Sequence, residues 1–328
     1  MTEAPSAVLS TREQVRQALA DGERFAIVTH ENLDGDALGS LIAMQAILRA
    51  LGKDAVIVIA PEEFPLPPEY GFFALDGLCT HAPDDLERRI TIFLDCGNLD
   101  RNPLAAMREA EPLINIDHHH DNTRFGTINH VVEQASCTAE IVWDLARDLG
   151  VEISPTIAEA LYVGLVTDTG RFSYESTTPR AHLMAAELIV AGVDVGRLYR
   201  QIYEDVPFAK LELLGRALAS ARRFEDERLT TAVLSCEDFS ATGADDSYAE
   251  GIVDHLRAVK HTKVAVLIRE ICSGARAGAH KVSLRASDDD VDVSAIARAF
   301  GGGGHRRAAG FTSELTAGEL IDAIRAQV

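Results

Sequence analysis

Eight side chains able to hold a metal ion stand at four separated points of the chain: His30, Asp34 and Asp36; Asp95; Asp117, His118 and His119; and Asp168. Singly, each has a plain structural reading. An Asp-x-Asp loop is usually solvated, an Asp at a strand end commonly caps a helix, and a run of histidines makes a surface turn. Together they ask for a cation, because carboxylates a few ångströms apart cannot all stay ionised without one. Mixed carboxylate and imidazole donors with no thiolate suit Mn²⁺, with Mg²⁺, Co²⁺ or Fe²⁺ as alternatives, and argue against a closed structural zinc site.

Each point follows a segment suited to placing it. FAIVT (25–29) is a short apolar run, and after the polar stretch His30–Asp36 the segment ALGSLIAMQAILRALG repeats apolar residues at helical spacing. AVIVIA (55–60), ITIFLDCG (90–97) and LINIDHHH (113–120) read as further strands, the last two ending in an acid or in an acid and histidines. This alternation predicts an α/β fold with a doubly wound, mainly parallel sheet, whose ligands bind beyond the carboxyl ends of the strands. The four points are therefore expected to converge.

Three helical stretches follow, TAEIVWDLARDLG, PTIAEALYVGLVTDTG and PRAHLMAAELIVAG, with Asp168 at the end of the second. PEEFPLPP (61–68) reads as a loop, since strand and helix patterns resume after it. From about 223 the pattern changes to LTTAVLS, VAVLIRE and KVSLRA mixed with VSAIARAF and AGELIDAIRAQ, a smaller α/β unit. The expected organisation is a domain over 1–192, a helical connector over 193–222 and a second domain over 223–328, with a cleft between the domains.

The second domain carries Gly301-Gly302-Gly303-Gly304-His305, followed by Arg306 and Arg307. No Gly-Lys-Ser/Thr follows, so this is not a P-loop. The glycines would let the backbone approach an anion, with N–H groups forming a nest. In KVSLRA, a period of two puts Lys281, Ser283 and Arg285 on one face and Val282 and Leu284 on the other. A cationic strand face beside a glycine loop suits a phosphate.

The segments THENLDGDALGS, FLDCG, DHH and GLVTDTGRF resemble the successive motifs of the DHH phosphoesterases, and GGGGHRRAAG resembles the signature of their associated C-terminal domain. The resemblance runs from about 25 to 325, and TDTGRFSYESTTPRAH is most similar to the bacterial bifunctional oligoribonucleases (nano-RNases) and 3′,5′-bisphosphate nucleotidases. It implies two divalent ions, one held by His30, Asp34 and Asp95, the other by Asp36, Asp95, His118 and Asp168. Asp117 would orient an imidazole and His119 would face the substrate phosphate, both in catalytic roles, while His120 lies outside the motif. Arg285, Gly302, Gly303, Gly304 and His305 would bind substrate lying across the cleft. The implied activity is release of 5′-mononucleotides from very short RNAs and dephosphorylation of 3′-phosphoadenosine-5′-phosphate (pAp), with pApA and cyclic-di-AMP as related substrates. Leu33, Cys137 and Ala286 depart from residues frequent in the family, Pro, Ser and Ser. A RecJ-like exonuclease and a nucleotide sensor that has lost catalysis are the competing readings; a missing ligand would mark the sensor, and none is missing.

Composition agrees with a small substrate. The 328 residues carry 31 basic and 51 acidic side chains, net −20, and 47% are hydrophobic. Residues 1–221 hold 17 basic against 34 acidic groups, and 222–328 hold 14 against 17. Long duplex nucleic acid, whose binding needs a basic stripe, is disfavoured. The opening MTEAPSAVLSTREQ lacks the layout of a secretory leader and no apolar run reaches the ~20 residues that span a bilayer, so a soluble cytoplasmic protein without a membrane partner is expected. A homodimer is left open. The five cysteines, Cys79, Cys96, Cys137, Cys236 and Cys272, form no Cys-x-x-Cys pair and are expected to be reduced.

Overall fold

Strand β1 (Arg24–Val28) shows how the first sheet is built: after its exposed first residue, every position is buried. Such a strand has helices or loops over both faces. The structure, a computed structural model, describes residues 6–288 and 290–328; residues 1–5, the start of the segment read for a leader, lie outside the described residues. The chain forms two compact units, Met1–Asp205 and Val206–Val328.

In the first unit α1 (Ser6–Asp21), β1, α2 (Gly35–Ala50), β2 (Asp54–Val58), β3 (Leu78–Cys79), β4 (Ile90–Leu94), α3 (Ala105–Arg108), β5 (Leu113–Asp117) and β6 (Ile128–Val131) are followed by helices α4 (Thr138–Asp148), α5 (Pro155–Asp168), α6 (Pro179–Val190) and α7 (Val195–Tyr203). The strands form a six-stranded sheet in the order β3-β2-β1-β4-β5-β6, with parallel pairing throughout. Phe25, Ile27, Ile92 and Leu94 point into a core shared with α1, α2, α4, α5 and α6. Ala26, Val28 and Phe93 point the other way, toward Met107 of α3. Chain order reverses between β1 and β4, the switch point where α/β sheets open a crevice at their carboxyl ends.

In the second unit α8 (Phe208–Ser220), β7 (Arg222–Phe224), β8 (Leu229–Leu234), α9 (Cys236–Thr242), α10 (Ile252–Arg257), β9 (Val264–Glu270), β10 (His280–Ala286), α11 (Val293–Ala299), β11 (Gly303–His305), β12 (Ala308–Ser313) and α12 (Ala317–Arg325) build a mixed sheet, β11-β12-β10-β9-β8-β7. Only β8 and β9 pair in parallel within it. Alternate residues of β9 serve two cores: Val264, Val266 and Ile268 pack with α11 and α12, whereas Ala265 and Leu267 pack with α8 and α10. The stretch 193–222 divides between the units: Leu198 and Ile202 of α7 join the first core, Leu213 and Ala217 of α8 a core of the second.

One expectation is corrected. Cys236 and Cys272 are joined in a disulfide, while Cys79, Cys96 and Cys137 are free thiols. The 36-residue separation hides the pairing in the sequence. Because β8 and β9 are parallel and aligned with Leu234 opposite Arg269, the residues just beyond their carboxyl ends emerge side by side. Among the described residues no helix is long and apolar enough to cross a membrane.

His130 of β6 is buried, its Nδ1 3.0 Å from Thr11 Oγ1 of α1. Burial, reinforced by Arg12, pushes the imidazole down to about 4. The unfolded chain, titrating near 6.5, then binds more protons than the folded one between about pH 6.5 and 4, so stability falls as pH drops through that window. The full shift corresponds to up to about 3 kcal/mol. Urea denaturation at pH 7.5 and pH 4.5 should show the loss, and His130→Asn should reduce it by roughly that amount; an equal acid loss in both proteins would refute the assignment.

Candidate metal centre

Each candidate ligand stands at or next to an element end. β1 stops at Val28 and the chain passes through His30 before α2 opens, with Asp34 as its N-cap accepting from the N–H of Ala37 at 2.9 Å. Asn32, between them, is left-handed (φ 58°), and its N–H and that of Leu33 both donate to Glu63 Oε2 at 2.9 and 3.3 Å. Asp95 follows β4 in a left-handed turn (φ 55°), a conformation that Asp tolerates better than most residues. Asp117 ends β5, and Asp168 ends α5.

Two close approaches bring α2 and α5 together. A Cβ on Gly39 would lie 2.3 Å from the Ala160 carbonyl oxygen, and one on Gly164 would lie 2.7 Å from Asp36 Oδ1 and 2.8 Å from Ala139 Cβ. Only glycine leaves room for Asp36 to sit between α2, α4 and α5. There it meets the N-terminus of α4, whose N-cap, Cys137, makes no side-chain cap. The N–H groups of Thr138 and Ala139 instead donate to Asp36, to Oδ2 at 2.6 Å and Oδ1 at 2.9 Å. A carboxylate from α2 thus satisfies two donors that every helix start leaves open.

The structure gathers the donors into overlapping groups whose ligand atoms lie within 4.8 Å of one another: His30 with Asp34 and Asp95, Asp36 with His118 and Asp168, and Asp95 with Asp117 and His119. His30 Nε2 is 3.5 Å from Asp95 Oδ2 and 3.9 Å from Asp34 Oδ2. His118 Nε2 is 3.6 Å from Asp95 Oδ1 and 3.5 Å from Asp168 Oδ2. Asp95 therefore turns one oxygen to each side. The imidazoles of His30 and His119 are oriented through Nδ1, by the Glu31 carbonyl at 2.6 Å and Asp117 Oδ1 at 2.7 Å. Asp117 is held in turn by the His118 N–H at 2.8 Å and by Asn122 Nδ2 at 2.5 Å.

Burial, then Asp95 and Asp168, raise Asp36 well above the usual carboxylate range. Burial also lifts Asp168, to about 6, against the pull of His118. At Asp95 burial works upward too, but His30, His119 and His118 outweigh it and hold the group well below its ordinary value. At His118 burial works downward, and Asp168, Asp95 and Asp36 overcome it, raising the imidazole to about 10. Such a field of buried negative potential is what a divalent cation neutralises, and the all-oxygen and nitrogen donor set fits a hard or borderline ion.

His120 joins none of these groups. Sequence reasoning missed Thr138, Asn122 and Glu63; the only sequence signal for Thr138 was its place before an apolar helical pattern, and the other two carried none. In the second unit, Lys281, Ser283 and Arg285 of β10 are half-buried while Val282 and Leu284 are buried. Arg285 Nε lies 3.7 Å from Asp254 Oδ1 and its Nη2 lies 3.9 Å from Glu250 Oε1. The glycine run differs from a free nest. The N–H groups of Gly301 and Gly302 donate to the Arg298 and Ala297 carbonyls, closing α11, and Gly303–His305 pairs with β12. Gly302 and Gly304 leave no space for a Cβ, whereas Gly303 faces open space.

Residues 24–165 match the DHH family, N-terminal domain, and residues 228–328 the DHHA1 domain. The chain is 35% identical over 301 residues to the bifunctional oligoribonuclease and PAP phosphatase NrnA of Thermus thermophilus, covering 87% of this chain and 83% of that protein. It is 26% identical to a probable protein of the same name from Streptococcus mutans, covering 88% and 89%. An exopolyphosphatase-related protein from Bacteroides fragilis shares the fold at TM-score 0.85 and 23% identity, covering 100% of this chain and 97% of that one. RecJ from Thermus thermophilus, solved with Mn²⁺, matches at TM-score 0.57 and 15% identity, covering 99% of this chain and 55% of its own.

Two outcomes are expected of the centre. Mn²⁺ added to EDTA-treated protein should raise its melting temperature, since an ion that binds only the folded state stabilises it. Gly164→Ala should cost about 1–3 kcal/mol by overpacking and shrink the Mn²⁺-dependent rise, because the new methyl displaces Asp36. An unchanged rise in that variant would show that Asp36 is not a ligand.

Proposed function

The chain belongs to the DHH phosphoesterase family, and from that premise we propose that it releases 5′-mononucleotides from very short oligoribonucleotides and removes phosphate from pAp. It is a metal-dependent phosphohydrolase. The observation that carries the reading is the Asp95 carboxylate, one oxygen toward His30 and the other toward His118, whose Nε2 also faces Asp168. In the proposed assignment His30, Asp34 and Asp95 hold one divalent ion and Asp36, Asp95, His118 and Asp168 the other, Mn²⁺ being the ion preferred. Bound there, the ions would supply a water acidic enough to attack phosphorus at neutral pH and positive charge against the phosphoryl oxygens.

The chain's own residues prepare that chemistry. Asp117 holds the Nδ1 side of His119 and so fixes the plane of the imidazole proposed to face the substrate phosphate. No protein nucleophile is required. The thiols near the site are unsuited to the role: burial pushes Cys96 up to about 12 and Cys137 well above its ordinary value. In the second unit Arg285, Gly302, Gly303, Gly304 and His305 are proposed to bind the substrate's nucleotide or phosphate end. The similarity to NrnA proteins over most of their length supports small nucleotides as substrates, and pApA and cyclic-di-AMP belong to the same proposal. The proposed metal ligands all lie in the first unit.

Turnover of pAp, pApA, cyclic-di-AMP and a three-nucleotide RNA with Mn²⁺, with Mg²⁺ and with EDTA tests the assignment. Activity on pAp and the short RNA with Mn²⁺, and none with EDTA, is expected. Asp95→Ala should lower kcat at least 10³-fold, about 4 kcal/mol of transition-state stabilisation. Metal-independent turnover, or an active Asp95→Ala protein, would defeat the proposal.

A further inference from the structure

We propose that Thr138 is a positioning residue that serves one of the two ion positions selectively, the one built from Asp36, His118 and Asp168. The inference rests on the two-ion reading above.

Thr138 is fully buried in the first turn of α4 and touches two ligands from different elements. Its N–H donates to Asp36 Oδ2 at 2.6 Å, and its hydroxyl donates to Asp95 Oδ1 at 3.0 Å. The two oxygens of Asp95 are not equivalent. Oδ1, which the hydroxyl grips, is the one that faces His118, whereas Oδ2 faces His30. Both contacts of Thr138 thus fall on the same side of the centre.

The other side has separate supports. His30 is set by the Glu31 carbonyl, Asp34 by the Ala37 N–H, and the loop between them by Glu63. None of these passes through Thr138. A threonine in the interior of a helix commonly turns its hydroxyl onto the carbonyl four residues back. At the first helical residue no such helical carbonyl precedes it, and the hydroxyl is available to a neighbour. Removing the donor leaves Oδ1 short of one hydrogen bond, while His30 still faces Oδ2 at 3.5 Å. Outer hydrogen bonds of this kind are typically worth 10- to 100-fold in metal affinity.

The test is titration of EDTA-treated protein with Mn²⁺, following free Mn²⁺ by electron paramagnetic resonance, for the native chain, Thr138→Val and Thr138→Ser. Valine keeps the branched shape and the backbone donor; serine keeps the hydroxyl. The native chain should bind two ions. Thr138→Val should bind one with native affinity and the other about 10- to 100-fold more weakly, with kcat falling more than KM rises on pAp, and Thr138→Ser should restore both sites to within about threefold. Two native-like sites in Thr138→Val, equal weakening of both, or failure of Thr138→Ser to rescue would each overturn the assignment. If Thr138→Val does not fold, Thr138→Ala carries the same comparison. A native chain that binds fewer than two ions would instead defeat the two-ion reading itself, a different result from any of these.

Discussion

Negative charge gathered at the carboxyl edge of the first sheet has to be offset within a few ångströms, and much of the surrounding structure answers that need. Asp36, Asp95 and Asp117 are buried, and Asp168 stands beside them. The opening N–H groups of α4 take up both oxygens of Asp36, imidazoles flank Asp95, and His119 and Asn122 hold Asp117. These partners are partial charges or shared protons, and they do not cancel four carboxylates. A divalent cation bound there would complete the balance, and the same arrangement that would be costly in a bare core would then be serviceable as a metal centre.

Packing and chemistry are coupled at the crossing of α2 and α5. Gly39 and Gly164 allow the helices to approach until Asp36 is wedged against the start of α4, and α4 in turn lacks a capping side chain of its own at Cys137. Helix and ligand satisfy one another, so neither can be altered alone. The left-handed backbone at Asn32 and Asp95 belongs to the same arrangement: both lie in turns beside the clustered donors, and such conformations persist where surrounding contacts hold them.

The second unit obeys the same rules with a different outcome. Its central strand β9 is buried on both faces, whereas β10 has one half-buried face that carries Lys281, Ser283 and Arg285. Arg285 lies near Asp254 and Glu250, so in the chain as described its charge is moderated by acids that a substrate phosphate would have to compete with. The glycine run is partly committed to closing α11 and forming β11, through hydrogen bonds that composition does not display.

The α/β class, the principal strands and the ligand types at their ends were legible in the sequence, because a buried parallel strand is a short apolar run and a ligand loop interrupts it with polar residues. Short elements were not: β3 spans two residues, and β6 mixes polar Asn129 and His130 into its pattern. The disulfide, the Glu63 support and the Asn122 contact join residues separated by 36, about 30 and 5 positions, and no local periodicity encodes such pairings. The sequence by itself determined which donors exist and that strand ends would carry most of them. Only the tertiary structure decided which oxygen of Asp95 faces which imidazole and that α4 is capped by a side chain from α2, because those depend on how helices cross and strands order themselves, and many local patterns are compatible with more than one such packing.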